Sequence, residues 1–255
     1  MPAYRSRHYA MFICLLLSAW VSGPANAAPA ESAGMQPTAT DAALSAKQQA
    51  IPVIAAWAAT GDLQQLHTAL NQGLEAGLSV NEAKEVLVQL YAYAGFPRSL
   101  NALGELMRVV EDRKQRGVHD PAGPESSRAI PSGDELLRVG RQNQTRISGG
   151  PVDGPVFQFA PVINQYLQAH LFGAIFERDV LSFQDRELAT VGILSTMPDV
   201  TPQLRSHIAA SLRVGLSVAQ LRQLIRSLAE AGLPDASKRA EAALEWHLSQ
   251  NAAAD

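Results

Sequence analysis

Between residues 47 and 118 apolar side chains recur every three or four positions and no stretch alternates strictly between apolar and polar, so the pattern predicts helices and no strands. Ala83, Leu87, Leu90 and Ala94 fall at i, i+4, i+7 and i+11, one apolar stripe down a single helix. Small residues on that segment, Ala92 and Ala94 among them, allow neighbours to approach closely and place it near the centre of a bundle. Helical spacing returns from about 159 to 250. Residues 119–158 between them concentrate Pro, Gly and Ser and read as an irregular connection with one short helix around Asp134 to Val139. The expected organisation is a first helical lobe at 47–118, the connection at 119–158, and a second helical lobe at 159–250.

The two lobes share a repeat. "GLSVNEAKEVLVQLYAYAGFP" begins at Gly77 and "GLSVAQLRQLIRSLAEAGLP" at Gly215, and their landmarks match to within one residue. Ser79 stands three residues before Glu82, and Ser217 three before Gln220, which is the spacing of a capping box that satisfies two orphan N–H groups. Gly95 and Gly232 stand where a helix would close in a left-handed conformation, and Pro97 and Pro234 then forbid its continuation. The expected fold class is all-α, a two-lobed helical bundle with an internal repeat.

The N-terminus departs from this pattern. The apolar run "MFICLLLSAWVSG" follows Arg5, Arg7 and His8, and Ala25, Asn26 and Ala27 supply the small-x-small pattern cut by signal peptidase. Residues 1–27 therefore read as a signal peptide and 28–46 as a flexible lead-in, which implies a periplasmic or secreted protein. The apolar run is shorter than the roughly 20 residues a spanning helix needs, so no membrane attachment is expected after cleavage. Cleavage would leave 19 Lys and Arg against 24 Asp and Glu, a net −5, with no basic stripe or aromatic ladder, and nucleic acid is not an expected partner. It would also remove Cys14, the only cysteine, and with it any disulfide, thiolate ligand or thiol nucleophile. No H-x3-H, C-x2-C or H-E-x-x-H spacing occurs, and no glycine-rich phosphate loop follows a strand, so neither a metal nor a cofactor is expected.

Candidate chemistry concentrates in "SFQDRELATVGILSTMPDVTPQLRSHIAASLRVGLS", residues 182–217. Two helices are read there, one starting near Asp185 and one near Pro202, with Thr201 as N-cap and proline in the first turn. Glu187 precedes Val191 by four positions and Leu194 by seven, which puts a carboxylate on the buried stripe. His207 follows Leu204 by three positions and precedes Ser211 by four, at the edge of the face made by Leu204, Ile208 and Leu212. An acid and an imidazole can thus meet between two packed helices. Each also has a plainer reading: a Glu beside an Arg at a helix start as a solvated ion pair, a lone His as a satisfied core or rim residue. Spacing alone does not choose between them.

The combination of "DRELATVGIL", a histidine twenty residues after its Glu in "QLRSHIAASLRVGLS", and the corner "YAYAGFPRSLNAL" at residues 91–103 resembles the carboxymuconolactone decarboxylase family, which shares its fold with the alkyl hydroperoxidase D-like proteins. The likeness runs from about 50 to 245. It implies that Glu187 and His207 are the family's polar pair, with catalytic roles, and that Tyr93, Gly95, Phe96 and Pro97 form its pocket corner. Tyr93, Phe96, Pro97 and, from the helix before Glu187, His170 are the expected substrate-binding residues, with no metal among them; His67, His119 and His247 read as surface residues. The peroxide-reducing branch of the family needs C-x-x-C before its histidine, and "DVTPQLRSH" offers none, so thiol peroxidase chemistry is not expected. The lobes differ in complementary ways. The first keeps the aromatic corner but has Ala69 where the spacing calls for histidine, and the second keeps Glu187 and His207 but its corner is "AEAGLP". One working pocket built from both lobes, of one chain or of neighbouring subunits, follows.

What the resemblance implies in function is a cofactor-free lyase or isomerase acting on a small carboxylated lactone or related oxo acid. The alternatives are a non-catalytic small-molecule binding protein on the same fold, or an antioxidant accessory protein that would need the missing thiol. Assembly as a homo-oligomer, trimer or hexamer, is also implied.

Overall fold

Ser45 opens the bundle with a capping box: its side chain accepts from the backbone N–H of Gln48, whose own side chain reaches back to the cap. In the computed structural model, which describes residues 43–252, this begins α1 (Ala46–Thr60). The signal peptide and most of the lead-in expected from the sequence lie outside the described residues. There follow α2 (Leu63–Glu75), α3 (Val80–Gln89), α4 (Tyr91–Gln115), α5 (Gly133–Ser148), α6 (Pro155–Phe159) and α7 (Pro161–Tyr166). A π-helical stretch, Leu167–Ile175, then leads into α8 (Phe183–Thr196), α9 (Thr201–Arg213), α10 (Val218–Glu230) and α11 (Pro234–Ala252). No strand occurs among the described residues, and no helix among them is long and apolar enough to cross a membrane.

The repeat is visible in the caps and in the packing. Both capping boxes form, Ser79 with Glu82 at the start of α3 and Ser217 with Gln220 at the start of α10. Twelve residues beyond the same point of each helix a serine returns to it: Ser99 Oγ donates to the Leu87 carbonyl at 2.7 Å and Ser237 Oγ to the Ile225 carbonyl at 2.9 Å. α1 and α8 each follow a serine cap, Ser45 and Ser182, and pack against one another at the centre. At their crossing a Cβ on Gly192 would lie 2.4 Å from the Pro52 carbonyl oxygen, so only glycine lets the two backbones come this close. α8 also touches α3, α9 and α11, and every residue from Arg186 to Ser195 is buried. A helix enclosed on all sides has no polar face to predict from, which makes any ionisable residue on it notable.

Three local expectations need correction. Gly95 does not end a helix: with φ 82 and ψ 162 it kinks α4, which resumes at once and runs to Gln115. Pro97 falls in the first turn after the kink, where its missing N–H costs no ladder bond. The connection is not mainly irregular, since α5 runs for 16 residues rather than the short piece expected. Its inward face is Gly140, Gln144 and Ile147, and a Cβ on Gly140 would come 1.8 Å from the Gln168 carbonyl oxygen of the π-helical stretch. A glycine and a glutamine make the contact, so a search for apolar periodicity passes over it. Finally, the residue capping α9 is Val200, without a side-chain bond, rather than Thr201.

Ahead of α5 the connection is pinned by one carboxylate. Asp179 accepts from the Ser127 backbone N–H at 2.8 Å, from the Ser127 hydroxyl, and from the Ser126 hydroxyl at 3.1 Å. Donors from Ser127 and Ser126 hold the Asp179 carboxyl down, at about 2. A carboxylate whose folded value lies below its unfolded one adds stability above the unfolded value, and that contribution disappears as pH falls toward the folded one. The latch is therefore expected to be intact above about pH 4 and to release between about pH 4 and pH 2. Hydrogen exchange of residues 124–130 should accelerate in that window beyond its intrinsic pH dependence. In Asp179→Asn the segment should be fast at neutral pH as well, and equal protection of this variant and the parent would rule the latch out.

Candidate functional site

Consecutive residues on a helix point about 100° apart, so Arg186 and Glu187, both fully buried on α8, must face different neighbours. Glu187 faces α9. Its Oε2 lies 2.8 Å from Nδ1 of His207, whose side chain keeps 16% of its surface exposed. A carboxylate only accepts, so Nδ1 carries the proton of this bond and Nε2 of the neutral ring is left as a free acceptor. The second carboxylate oxygen, Oε1, is buried without a hydrogen-bond partner in the protein.

Tyr93 comes from the other copy of the repeat. The kink at Gly95 turns its ring edge-on to the His207 ring, with centroids 5.8 Å apart and planes at 76°. Its oxygen is 3.3 Å from Thr190 Oγ1, one turn along α8 from Arg186. Burial, and then the negative charge of Glu187, push the Tyr93 phenol above its ordinary range, so it remains a phenol at any working pH.

Arg186 faces α3. Its guanidinium donates to Gln89 Oε1 at 3.1 Å, to Glu85 Oε2 at 3.2 Å and to the Arg178 carbonyl at 2.6 Å, and lies 5.6 Å from the Phe176 ring centroid. Glu85 is shared, because Arg178 grips its Oε1 with Nε at 2.8 Å and a terminal nitrogen at 2.6 Å. Burial pulls the Arg186 guanidinium below its ordinary value and the Glu85 charge opposes that pull. Gln89 closes the network, its Nε2 donating to the Arg186 carbonyl and to Thr190 Oγ1, both at 2.9 Å.

The structure thus brings Glu187, His207 and Tyr93 together within one chain. Phe96, 62% exposed, instead stacks on Tyr91 with centroids 4.5 Å apart. The Tyr91 hydroxyl is 3.2 Å from Nδ1 of the exposed His170, whose ring meets that of Tyr166 edge-on at 6.3 Å. Pro97 is exposed at the start of the resumed helix. His67 is not a plain surface residue: it is half-buried and its Nδ1 lies 2.8 Å from the buried Glu105. Ala69 is buried where the repeat would have a histidine.

Sequence reading passed over Arg186, Glu85, Gln89, Thr190 and Tyr91. One signal was available. Glu85 with Gln89, and Arg186 with Thr190, are polar pairs at i, i+4 on helices otherwise read as core, and two such pairs can satisfy each other across an interface. Removing one partner of a buried ion pair leaves an uncompensated charge, so Glu85→Gln is expected to lose about 3–5 kcal/mol of unfolding free energy in urea titration. A loss below about 1 kcal/mol would mean that the Arg186 charge is held by its other partners alone.

The arrangement offers a ring nitrogen that can take or give a proton, a carboxylate that fixes its tautomer, a phenol beside it, and a desolvated surround. Comparison with known proteins agrees with this picture at the level of family. A search among curated proteins finds no match. The model of the "Carboxymuconolactone decarboxylase family" matches residues 26–106 and 161–246, roughly two thirds of the chain, in two stretches that contain Tyr93 and the Glu187–His207 pair respectively. The chain belongs to the carboxymuconolactone decarboxylase family.

Proposed function

We propose that the protein is a lyase or isomerase that needs no cofactor and acts on a small carboxylated lactone or related oxo acid at the Glu187–His207 pair. The observation that carries this reading is the buried Glu187 carboxylate bound at 2.8 Å to an imidazole that remains partly exposed beside Tyr93. In a decarboxylation the substrate carboxylate leaves as carbon dioxide, the electron pair of the broken C–C bond passes into the unsaturated lactone, and a proton is delivered to carbon. The protonated His207 ring supplies that proton from Nε2 while Glu187 holds Nδ1, and the neutral ring is then reprotonated from solvent. In an isomerisation the neutral ring runs the same transfer in reverse first, Nε2 taking the proton from carbon. The positive ring formed on the way faces a carboxylate already in place, so little needs to reorganise. Peroxide reduction through a dithiol is disfavoured because Cys14 is the only cysteine in the sequence.

Release of carbon dioxide from carboxymuconolactone by the purified protein tests the reading. Glu187→Gln and His207→Ala should each lower the rate by about 100-fold or more with unchanged helical circular dichroism. Lactone binding without release would make this a binding protein, and full activity in both variants would move the chemistry elsewhere. The N-terminal pattern supports export, and the exposed Phe159, Met107 and Phe96, at 92%, 70% and 62%, support a homo-oligomer. A cytoplasmic full-length chain, or a monomeric mass by light scattering, would count against those two points.

A further inference from the structure

We propose that the Tyr93 hydroxyl is a third catalytic group, an oxyanion donor, and that Gln89 and Thr190 are positioning residues that turn its proton toward the ligand. The inference deepens the acid–base reading above and rests on it. It starts from counting protons and lone pairs along one chain of hydrogen bonds. The Arg186 guanidinium has only donors, so Gln89 must present Oε1 to it at 3.1 Å, and the amide cannot flip. Its Nε2 then faces the Arg186 carbonyl and Thr190 Oγ1, both at 2.9 Å. The Arg186 carbonyl has two lone pairs, and it already receives the helical N–H four residues on along α8 as well as Gln89.

Thr190 has one proton and two oxygens in reach, the Arg186 carbonyl at 2.9 Å and Tyr93 at 3.3 Å. With the carbonyl lone pairs taken, its proton turns to Tyr93. Tyr93 thereby accepts from Thr190, and its own O–H is left to point away from α8, on the side where its ring meets His207. A second observation marks the same place as incomplete: the buried Glu187 Oε1, on the residue whose other oxygen holds His207, has no partner in the protein. Two groups around one imidazole, a donor and an acceptor, are each short of one hydrogen bond.

An oxygen that gains negative charge during reaction, such as the carbonyl of a lactone becoming enolate-like, is what an uncommitted phenol beside a proton-transferring ring would stabilise. Tyr93 donates a hydrogen bond and keeps its proton; His207 moves the proton to carbon. The upward push on the phenol by burial and by Glu187 fits that division, since a phenol held protonated remains a donor throughout. The substrate class narrows accordingly to compounds with a carbonyl conjugated to the carbon that is protonated.

The probe is 4-nitrophenol, whose phenolate absorbance reports whether a planar oxyanion is bound, with lactone decarboxylation measured in parallel. The unaltered protein should bind it as the phenolate. Tyr93→Phe should weaken binding by about 10- to 100-fold, and lower kcat with little change in KM, because the bond it removes is strongest in the transition state. Thr190→Val, which keeps the shape and removes the hydroxyl, should weaken it by roughly 3- to 10-fold. Unchanged or tighter binding in Thr190→Val would mean that Tyr93 donates to Thr190, and would overturn the proposal. Unchanged probe binding and kcat in Tyr93→Phe would overturn it while leaving His207 and Glu187 in place, provided that His207→Ala still abolishes turnover. No phenolate binding by the unaltered protein overturns the donor role as well. Should either variant fail to fold, tyrosine labelled with carbon-13 at the hydroxyl-bearing ring carbon serves in the unaltered protein. One resonance should shift on adding the probe, and no shift overturns the proposal.

Discussion

A guanidinium with no exposed surface is the constraint on which the rest of the molecule turns. Stripped of water, the Arg186 charge is tolerable only because Glu85, Gln89 and the Arg178 carbonyl surround it, and the first two belong to α3 while Arg186 belongs to α8. The pairing therefore docks one copy of the repeat on the other at fixed rotation. Once α8 is fixed about its axis by Arg186, the next residue has no freedom left, and Glu187 is delivered to α9 and His207. The same docking places Thr190, one turn further, against Tyr93. Replacing the ion pair by apolar side chains of similar volume could keep the bundle folded, but it would no longer specify this rotation.

Close backbone contact does the rest of the positioning. Gly192 lets α8 approach α1 at Pro52, and Gly140 lets α5 approach the π-helical stretch that carries His170. Gly95, with φ 82, turns the chain so that Tyr93 looks back into the bundle while Phe96 looks out. A single glycine thus separates an inward ring from an outward one three residues away. The outward set, Phe96 on Tyr91 and Tyr91 on His170, forms an aromatic rim joined to Tyr166, with Tyr93 two residues from Tyr91 as its connection to the inner site.

The all-α fold and its repeat were legible because both rest on short-range chemistry: helical spacing, capping boxes and the paired glycine and proline landmarks. Glu187 was legible too, since Val191 and Leu194 share its stripe and both are buried. The length of α5 was not, because its inward face is a glycine, a glutamine and one isoleucine. The buried polar network was hidden for a related reason. A residue such as Gln89 looks like a solvent-facing position until the residue opposite it is known, and that partner lies 97 positions away in the sequence. Periodicity reports which side of a helix is buried. It does not report which polar side chain another helix will satisfy.

Duplication followed by loss explains why the site occurs once. Two equivalent halves would give two pairs and two aromatic corners, yet the first copy has Ala69 in the place of His207, and the second has "AEAGLP" in the place of the tyrosine corner. Neither loss harms a site that takes its acid and imidazole from the second copy and its phenol from the first, since α3 and α8 are already held together by the buried charge. Either loss would be fatal if each half worked alone. The surviving halves are complementary, and the Arg186 network is what lets them be: it keeps the registration between copies that an active pair in each would otherwise have to supply for itself.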